Sequence, residues 1–567
     1  MASGGSAGPL AGGRRGRKGE RACKNCRGPL EPEKLVASGL FRMPAPPDRP
    51  LPGSRRAGRG ARLFWGLLAG TVAVKVALAA ALPVLGDEAY VFLWGRNPAL
   101  GYYDHPPLSG WIVHLLFRLG DSLPVLRLPS ILLAAGVALV MVWLLRPYGE
   151  TEAYLGASLF LLAPVNVLGV LMLTDTPLVL CSFLSGAALV RARQRGDHPG
   201  WYLASGVFLG LAFLSKYLAF LLALGYGAWF LAILVRRRGG ERRRVAAGFA
   251  LLVAGCLPFV AFNLWWNAGH CWVNVIFNLY SRHVGEEKNY SVPRNLLFYV
   301  GTLLYMATPP VLVYLARRRR RLAEVVSDPA LGPAAFLFAV PMIAFLGMAL
   351  TAVFGAYWVL AFYPFFFLLL PRVLERRQLV AARRFMAVFT AVQLLVVGAV
   401  LAQPLERLER LGFYQSLVTM ERTGKLLDRI EPHRRGAHLA APGYTLASIL
   451  SYRLGETVSV FGEGSHYARE DDILTDWRRF DGQAVLVISK TPFELERYRP
   501  YFRSIQVGSV ELDDATIHWL RGEGFDYRAY REGVLRPILE RYYQIPSWLP
   551  TTGCYFCERY FPGPGCR

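Results

Sequence analysis

The sequence predicts an α-helical polytopic membrane protein with a small C-terminal extracytoplasmic α/β domain, and three observations carry that reading. Of 567 residues, 53% are hydrophobic and only 18% are charged, less charge than soluble chains usually carry. The apolar residues come in blocks. GLLAGTVAVKVALAAALPVL, ILLAAGVALVMVWLL and FLFAVPMIAFLGMALTAVF are each long enough, or nearly so, to cross about 30 Å of hydrocarbon. Finally, basic clusters fall between the blocks: the tail up to Arg62, Arg191–Arg195, Arg236–Arg244, Arg317–Arg321 and Arg372–Arg384.

Counting apolar runs between these clusters gives about eleven helices, at 63–84, 123–146, 152–170, 176–190, 200–214, 217–235, 245–263, 294–315, 332–352, 355–371 and 385–402. With the amino terminus inside, every basic cluster lands on the cytoplasmic face. The net charge of +24 is therefore accounted for by loops that orient the chain in a lipid bilayer, and no nucleic-acid partner is expected.

Three segments follow in order. Residues 1–61 are rich in Gly, Pro and Arg and read as a basic, disordered cytoplasmic tail. They carry no cleavable signal pattern, so the first apolar run is expected to stay as an uncleaved span. Residues 62–402 form the transmembrane domain, with two long outer loops at 85–122 and 264–293. The first loop holds amphipathic pieces around Trp111, Val113, Leu115, Leu116 and Phe117 that suit the interface. The second holds Trp265, Trp266 and Trp272, which suit a headgroup belt.

Residues 403–567 change character. HLAA, TLASILSYRL and TVSVFG read as strand, helix, strand; AVLVISK, SIQVGSVEL and ATIHWL add β-rich runs, and FDYRAYREGVLRPILERYY a surface helix. An odd number of spans places this domain outside. No internal repeat of fixed period is visible. Among the cysteines, Cys23 and Cys26 lie in the tail and Cys554 and Cys557 beyond the last span, so the two pairs cannot share one zinc site. The outer pair suits a disulfide, and Cys181, Cys256 and Cys271 read as ordinary membrane or interface residues.

On that topology the polar residues converge on one face. Asp87 and Glu88 follow the first span, and Asp104 and His105 close the same loop. Asp175 opens the fourth span, Lys216 lies between the fifth and sixth, Arg282 and His283 sit in the second loop, and Tyr357 opens the tenth. Ionisable groups at membrane depth are costly and usually functional. Each also has a plain alternative: Asp175 before Pro177 would cap a helix, Lys216 would snorkel to headgroups, Arg282 and His283 would be solvated charges, and His105 a turn residue.

One carboxylate, several cations and an apolar wall suit attack on a lipid-phosphate-linked sugar. Phosphate is already a good leaving group, so cations must stabilise it while one carboxylate takes the proton of the attacking hydroxyl. Asp87 is the candidate base, with Glu88, Asp104 and Asp175 as supporting acids and His105, Lys216, Arg282, His283 and Tyr357 around the donor phosphate. Asp87 and Glu88 are too local to be the flanking carboxylate pair of a glycosidase. As paired acids they would also suit a divalent cation, a thin ligand set that makes no cofactor certain.

The run of DEAY, YYDHPPLSGWI, RLPS, TDTP, LSKYLAF and AYWVLAFYP has the order and topology of a bacterial glycosyltransferase group. Over residues 62 to 400 the chain resembles the GT-C superfamily, specifically protein-mannosyltransferase-like and aminoarabinose-transferase-like (ArnT-like) enzymes. The resemblance implies a polyprenyl-phosphate (undecaprenyl-phosphate-type) sugar donor, an extracytoplasmic site in the inner (plasma) membrane, and inversion at the anomeric carbon. It matches Asp87 to the family's proposed catalytic carboxylate, Asp104-His105-Pro106 to an acidic-basic-Pro triplet whose basic member holds the phosphate, and Asp175 and Lys216 to an acidic and a basic position in the same cavity. His105 stands where some relatives have lysine, which shifts expected charge stabilisation toward Lys216. The acceptor would be lipid A or its core, another glycan, a lipid or a protein. The alternatives are a lipid-linked-sugar flippase or transporter and a non-catalytic component that binds polyprenyl phosphate.

Overall fold

The computed structural model describes residues 52–563 except 237, 282–290, 353, 410–411 and 514. From Ser54 onward the chain is one compact unit. Most of the expected tail, with Cys23 and Cys26, lies outside the described residues. The first helix starts at Pro52, inside the stretch read as disordered, and runs to Ala81.

Each of the eleven apolar segments is helical. By length and composition seven are able to cross a membrane: Gly58–Ala81, Leu128–Tyr148, Asp175–Gln194, Tyr217–Arg236, Gly239–Ala268, Gly332–Ala349 and Arg376–Leu401. An eighth is a pair, Val292–Ala307 and Pro309–Arg317, bent by 87°. The bend has a local cause. Thr308 adopts φ 62°, and Pro309 and Pro310 cannot continue the helical hydrogen bonds across it. The other three segments are shorter helices, Glu150–Leu162, Pro199–Phe213 and Tyr363–Val373. Every residue of Tyr363–Val373 except Arg372 is buried, so this helix is packed within the bundle and needs no length to reach both faces.

Helix packing uses small residues. A Cβ on Gly206 would lie 2.0 Å from the Leu252 carbonyl oxygen, so the Pro199–Phe213 and Gly239–Ala268 backbones touch, as glycine-lined membrane interfaces allow. The 26-residue helix Arg376–Leu401 starts with a capping box, Glu375 and Gln378 each satisfying the other's backbone.

The first long loop is a helical hairpin, Gly86–Arg96 and Leu108–Phe117, rather than a set of interfacial pieces. All of Glu88 to Gly95 is buried. Trp94 stacks on Tyr102 at 4.7 Å, and Gly110 accepts the Tyr102 ring where a Cβ would meet its hydroxyl at 2.0 Å. The second loop also differs from a simple aromatic belt. Trp265 is exposed, whereas Trp266 and Trp272 are buried.

The C-terminal part carries a five-stranded sheet in the order β2-β1-β3-β5-β4, with β1 Ala437–Ala441, β2 Ser459–Val460, β3 Ala484–Ser489, β4 Phe502–Leu512 and β5 Ala515–Phe525. β1, β2 and β3 run parallel, and β5 returns antiparallel. β3 is buried at every residue, as a parallel strand covered on both faces should be. The helix Tyr444–Leu454 makes the β1–β2 crossover.

Cys554 is not joined to its CxxC neighbour. It bonds Cys271, 283 residues away, with Cα atoms 4.3 Å apart, and Cys557 is disulfide-bonded as well. The Cys271 bond is backed by Cys271 N–H donating to the Gly553 carbonyl at 3.2 Å and Trp272 Nε1 to the Pro550 carbonyl at 3.1 Å. The pairing of Cys554 with Cys557 expected from spacing is thus wrong, and Cys271, read as an ordinary membrane or interface residue, is the partner, because the tail folds back over the end of the Gly239–Ala268 helix. A cross-link closing so long a loop is expected to contribute about 2–4 kcal/mol. Cys554→Ser should therefore lower the apparent Tm in detergent, and wild type held under reductant should lose at least as much, because the Cys557 disulfide is reduced as well.

Candidate active site

A buried ion pair builds the site. Arg127, at the start of the Leu128–Leu145 helix, and Glu88, in the first turn of Gly86–Arg96, are both wholly buried. Arg127 Nε and Nη2 donate to the two Glu88 oxygens at 2.9 and 2.6 Å. Its remaining donors reach the carbonyls of Ala79, Leu82 and Pro83 at 2.7, 2.8 and 2.9 Å. All five guanidinium N–H groups are thus used, three of them on carbonyls the first span leaves open at its end. Glu88 Oε1 also accepts the Met172 N–H at 2.9 Å. Glu88 is not among the residues that line the cavity beside it.

Its neighbour is. Asp87 is exposed to a cavity of about 450 Å³ that is also lined by Asp104, His105, Asp175, Lys216 and Tyr357. Six of the nine residues singled out from sequence therefore meet in one place. Arg282 and His283 lie outside the described residues. Tyr444 Oη donates to Asp87 Oδ1 at 2.8 Å. Asp104 accepts from Tyr90 Oη at 3.3 Å, and His105 Nδ1 lies 3.2 Å from Asp104 Oδ1.

Lys216 Nζ bridges both Asp175 oxygens at 3.0 and 2.9 Å and sits 4.9 Å from the centroid of the Tyr357 ring. Neither plain alternative for this pair holds. Thr174 occupies the cap position before Asp175 and makes no side-chain cap bond, and Lys216 is buried in an ion pair rather than extended to headgroups. The ammonium has three donors, two of them spent on Asp175. Among the described residues no group of three or more His, Cys, Asp or Glu gathers as metal ligands, and the Asp87-Glu88 pair diverges toward different partners.

Sequence reasoning missed the roof. Tyr444, Tyr467 and Ala468 of the C-terminal part line the same cavity, and Thr445 presses so close that a Cβ on Gly86 would meet its Cγ2 at 2.2 Å. The available signal was position: APGYT follows β1, and loops at the C-terminal ends of parallel strands are where such sheets carry sites.

Behind the roof lies a buried acidic knot. Glu470 accepts the Tyr103 N–H at 2.7 Å, and its own N–H donates to Tyr90 Oη at 3.2 Å. Arg469 holds Asp472 through two bonds at 2.8 and 3.1 Å, and Tyr543 Oη donates to Asp472 at 2.7 Å. Burial pushes the Glu470 carboxyl well above the usual range, with Asp104, Asp471 and Asp472 adding repulsion.

The family model for dolichyl-phosphate-mannose-protein mannosyltransferase matches residues 104–266, which include Asp104, His105, Asp175 and Lys216. The crystal structure of ArnT from Cupriavidus metallidurans bound to undecaprenyl phosphate aligns over 81% of this chain and 97% of that one, at a TM-score of 0.56 and 15% identity. Its apo form aligns at a TM-score of 0.53 and 17% identity, over 81% of this chain and 98% of that one. The fold is that of ArnT. A lipid A galacturonosyltransferase, RgtD of Rhizobium johnstonii, is 31% identical over 188 residues, which are 32% of this chain and 38% of that protein. This chain thus spans well under half the length of that curated relative in the matched region.

Two outcomes are expected. Arg127→Met strands a fully buried Glu88 carboxylate and should destabilise by about 3–5 kcal/mol, read as a fall in Tm in detergent. Glu470, whose folded value is raised, adds stability in full below the unfolded value near 4.3 and loses it as pH rises toward the folded value. Glu470→Gln should therefore match wild type in Tm at pH 4 and exceed it increasingly toward pH 8.

Proposed function

We propose that this ArnT-like protein is an inverting glycosyltransferase that moves a sugar from a polyprenyl-phosphate donor to an envelope acceptor, with the cavity on the extracytoplasmic side of the inner membrane. One observation carries the reading: the only exposed end of an otherwise locked acidic pair, Asp87, faces Lys216 and His105 across a cavity that continues into apolar space. Tyr357 and Leu360 line both this cavity and a neighbouring one of about 840 Å³, walled by Leu297, Phe298, Tyr305 and Phe354. That cavity in turn shares Met306 with a wholly apolar one of about 430 Å³. A phosphate beside Lys216 therefore has a path for an isoprenoid tail.

The reaction follows from these groups. The acceptor hydroxyl oxygen attacks the anomeric carbon while Asp87 takes its proton, and Tyr444 holds the accepting carboxylate in place. The bond from the anomeric carbon to the phosphate oxygen breaks, and its electron pair leaves on the polyprenyl phosphate. The third N–H of Lys216, with the His105 imidazole beside Asp104, stabilises that charge. Arg282 and His283 are the further cations assigned to this phosphate from the sequence. Asp87 then releases its proton to solvent, and a single displacement inverts the centre.

The relative named as a lipid A galacturonosyltransferase points to lipid A as an acceptor class and to a sugar acid as a donor class. Purified protein with polyprenyl-phosphate sugars and an envelope-lipid extract tests the reading. Wild type should transfer label to a new lipid species, and Asp87→Asn should lower the rate roughly 10²- to 10⁴-fold while still binding polyprenyl phosphate. Equal transfer by both proteins would remove Asp87 as the base.

A further inference from the structure

Lys75 lies in the first span, Gly58–Ala81, roughly 9 Å along the helix from Ala81 at about 1.5 Å per residue. It is 1% exposed. Its Nζ donates to the Asn166 carbonyl at 3.0 Å, and among the described residues it has no other hydrogen bond and no ion pair. An ammonium carries three donors. Burying one at membrane depth without a counter-ion is costly, and ionisable residues placed there mark substrate paths. The Asn166 carbonyl alone does not account for the charge, because a neutral amide side chain would satisfy it equally.

The ammonium lines a cavity of about 180 Å³ together with Asn166, Leu173, Asp175, Thr176 and Leu360. That is the space of roughly six waters at about 30 Å³ each. Leu173, Asp175 and Leu360 also line the catalytic cavity, so the two spaces share a wall. The Asp175 carboxylate on that wall is already matched by Lys216. The charge left over is positive.

We propose that Lys75 binds a carboxylate on the donor's sugar, making the donor a polyprenyl-phosphate uronic acid; this rests on the transferase reading above. The donor phosphate is the other anion to consider. It is placed beside Lys216 and His105; neither His105 nor Tyr357 lines the Lys75 cavity, which meets the apolar groove only through Val165 and Leu360. A carboxylate at the far side of the sugar ring reaches Lys75 without moving the phosphate from the groove. A charge-assisted bond of this kind distinguishes a sugar that has the carboxylate from one with a hydroxymethyl group.

The test compares two matched donors, polyprenyl-phosphate galacturonic acid and polyprenyl-phosphate galactose, with wild type, Lys75→Arg and Lys75→Met. Wild type should show a kcat/KM for the uronosyl donor roughly 10- to 100-fold above that for the hexosyl donor. Lys75→Met should erase that preference and Lys75→Arg should retain part of it. Binding of sugar-free polyprenyl phosphate, measured separately, should be alike in all three and shows that the variants are folded. Equal use of both donors by wild type overturns the inference without any variant, and so does an equal loss on both donors in Lys75→Met, which would place the phosphate at Lys75. Absence of transfer from either donor by wild type that binds polyprenyl phosphate would instead strike at the transferase reading.

Discussion

The bond between Arg127 and Glu88 is the constraint on which the site depends. One guanidinium ties the end of the first span, the first turn of the Gly86–Arg96 helix, the start of the Leu128–Leu145 helix and, through Glu88, the Met172 backbone. Four chain segments meet at two wholly buried side chains, where a loose polar group would be costly. With Glu88 turned inward, its predecessor on the helix is turned toward the cavity. The orientation of Asp87 is thus a consequence of helix geometry once the pair has formed.

The cavity itself is assembled from helix breaks. Asp175 opens one helix, Lys216 sits in an extended residue between two others, and Tyr357 lies in a short turn before Tyr363–Val373. Backbone that departs from regular helix at membrane depth is tolerated where it lines a cavity. The cavity's charge is uneven. Among the described residues its lining holds three carboxylates, one ammonium and one imidazole, so an incoming phosphate meets a site where Lys216 is shared with Asp175.

Much of this was legible in the sequence, for identifiable reasons. Apolar blocks and Arg clusters report membrane spans directly, and charged residues in such a chain are few enough that their convergence can be inferred from topology. The strand-helix-strand reading near 437–460 followed from side-chain period. Four things were not legible. Glu88 and Asp87 are adjacent carboxylates, and only the position of Arg127, 39 residues away, tells which is locked. Tyr444 reaches Asp87 across 357 positions, a tertiary contact with no local pattern. Lys75 hides within an apolar run where a single lysine reads as tolerated, and its significance comes from having no ion-pair partner among the described residues. The Cys271–Cys554 bond belongs to the same class, since spacing favoured the nearer cysteine.

The account holds that one carboxylate acts and its neighbour only supports. The anomeric configuration of the transferred sugar tests this most directly. The donor is prepared with a known linkage and the product is examined by NMR. The account predicts inversion, the outcome of a single displacement with Asp87 as base. Retention would contradict it, because a covalent sugar–enzyme intermediate needs a nucleophilic carboxylate on the opposite face, and Glu88, held by Arg127, is not available to provide one.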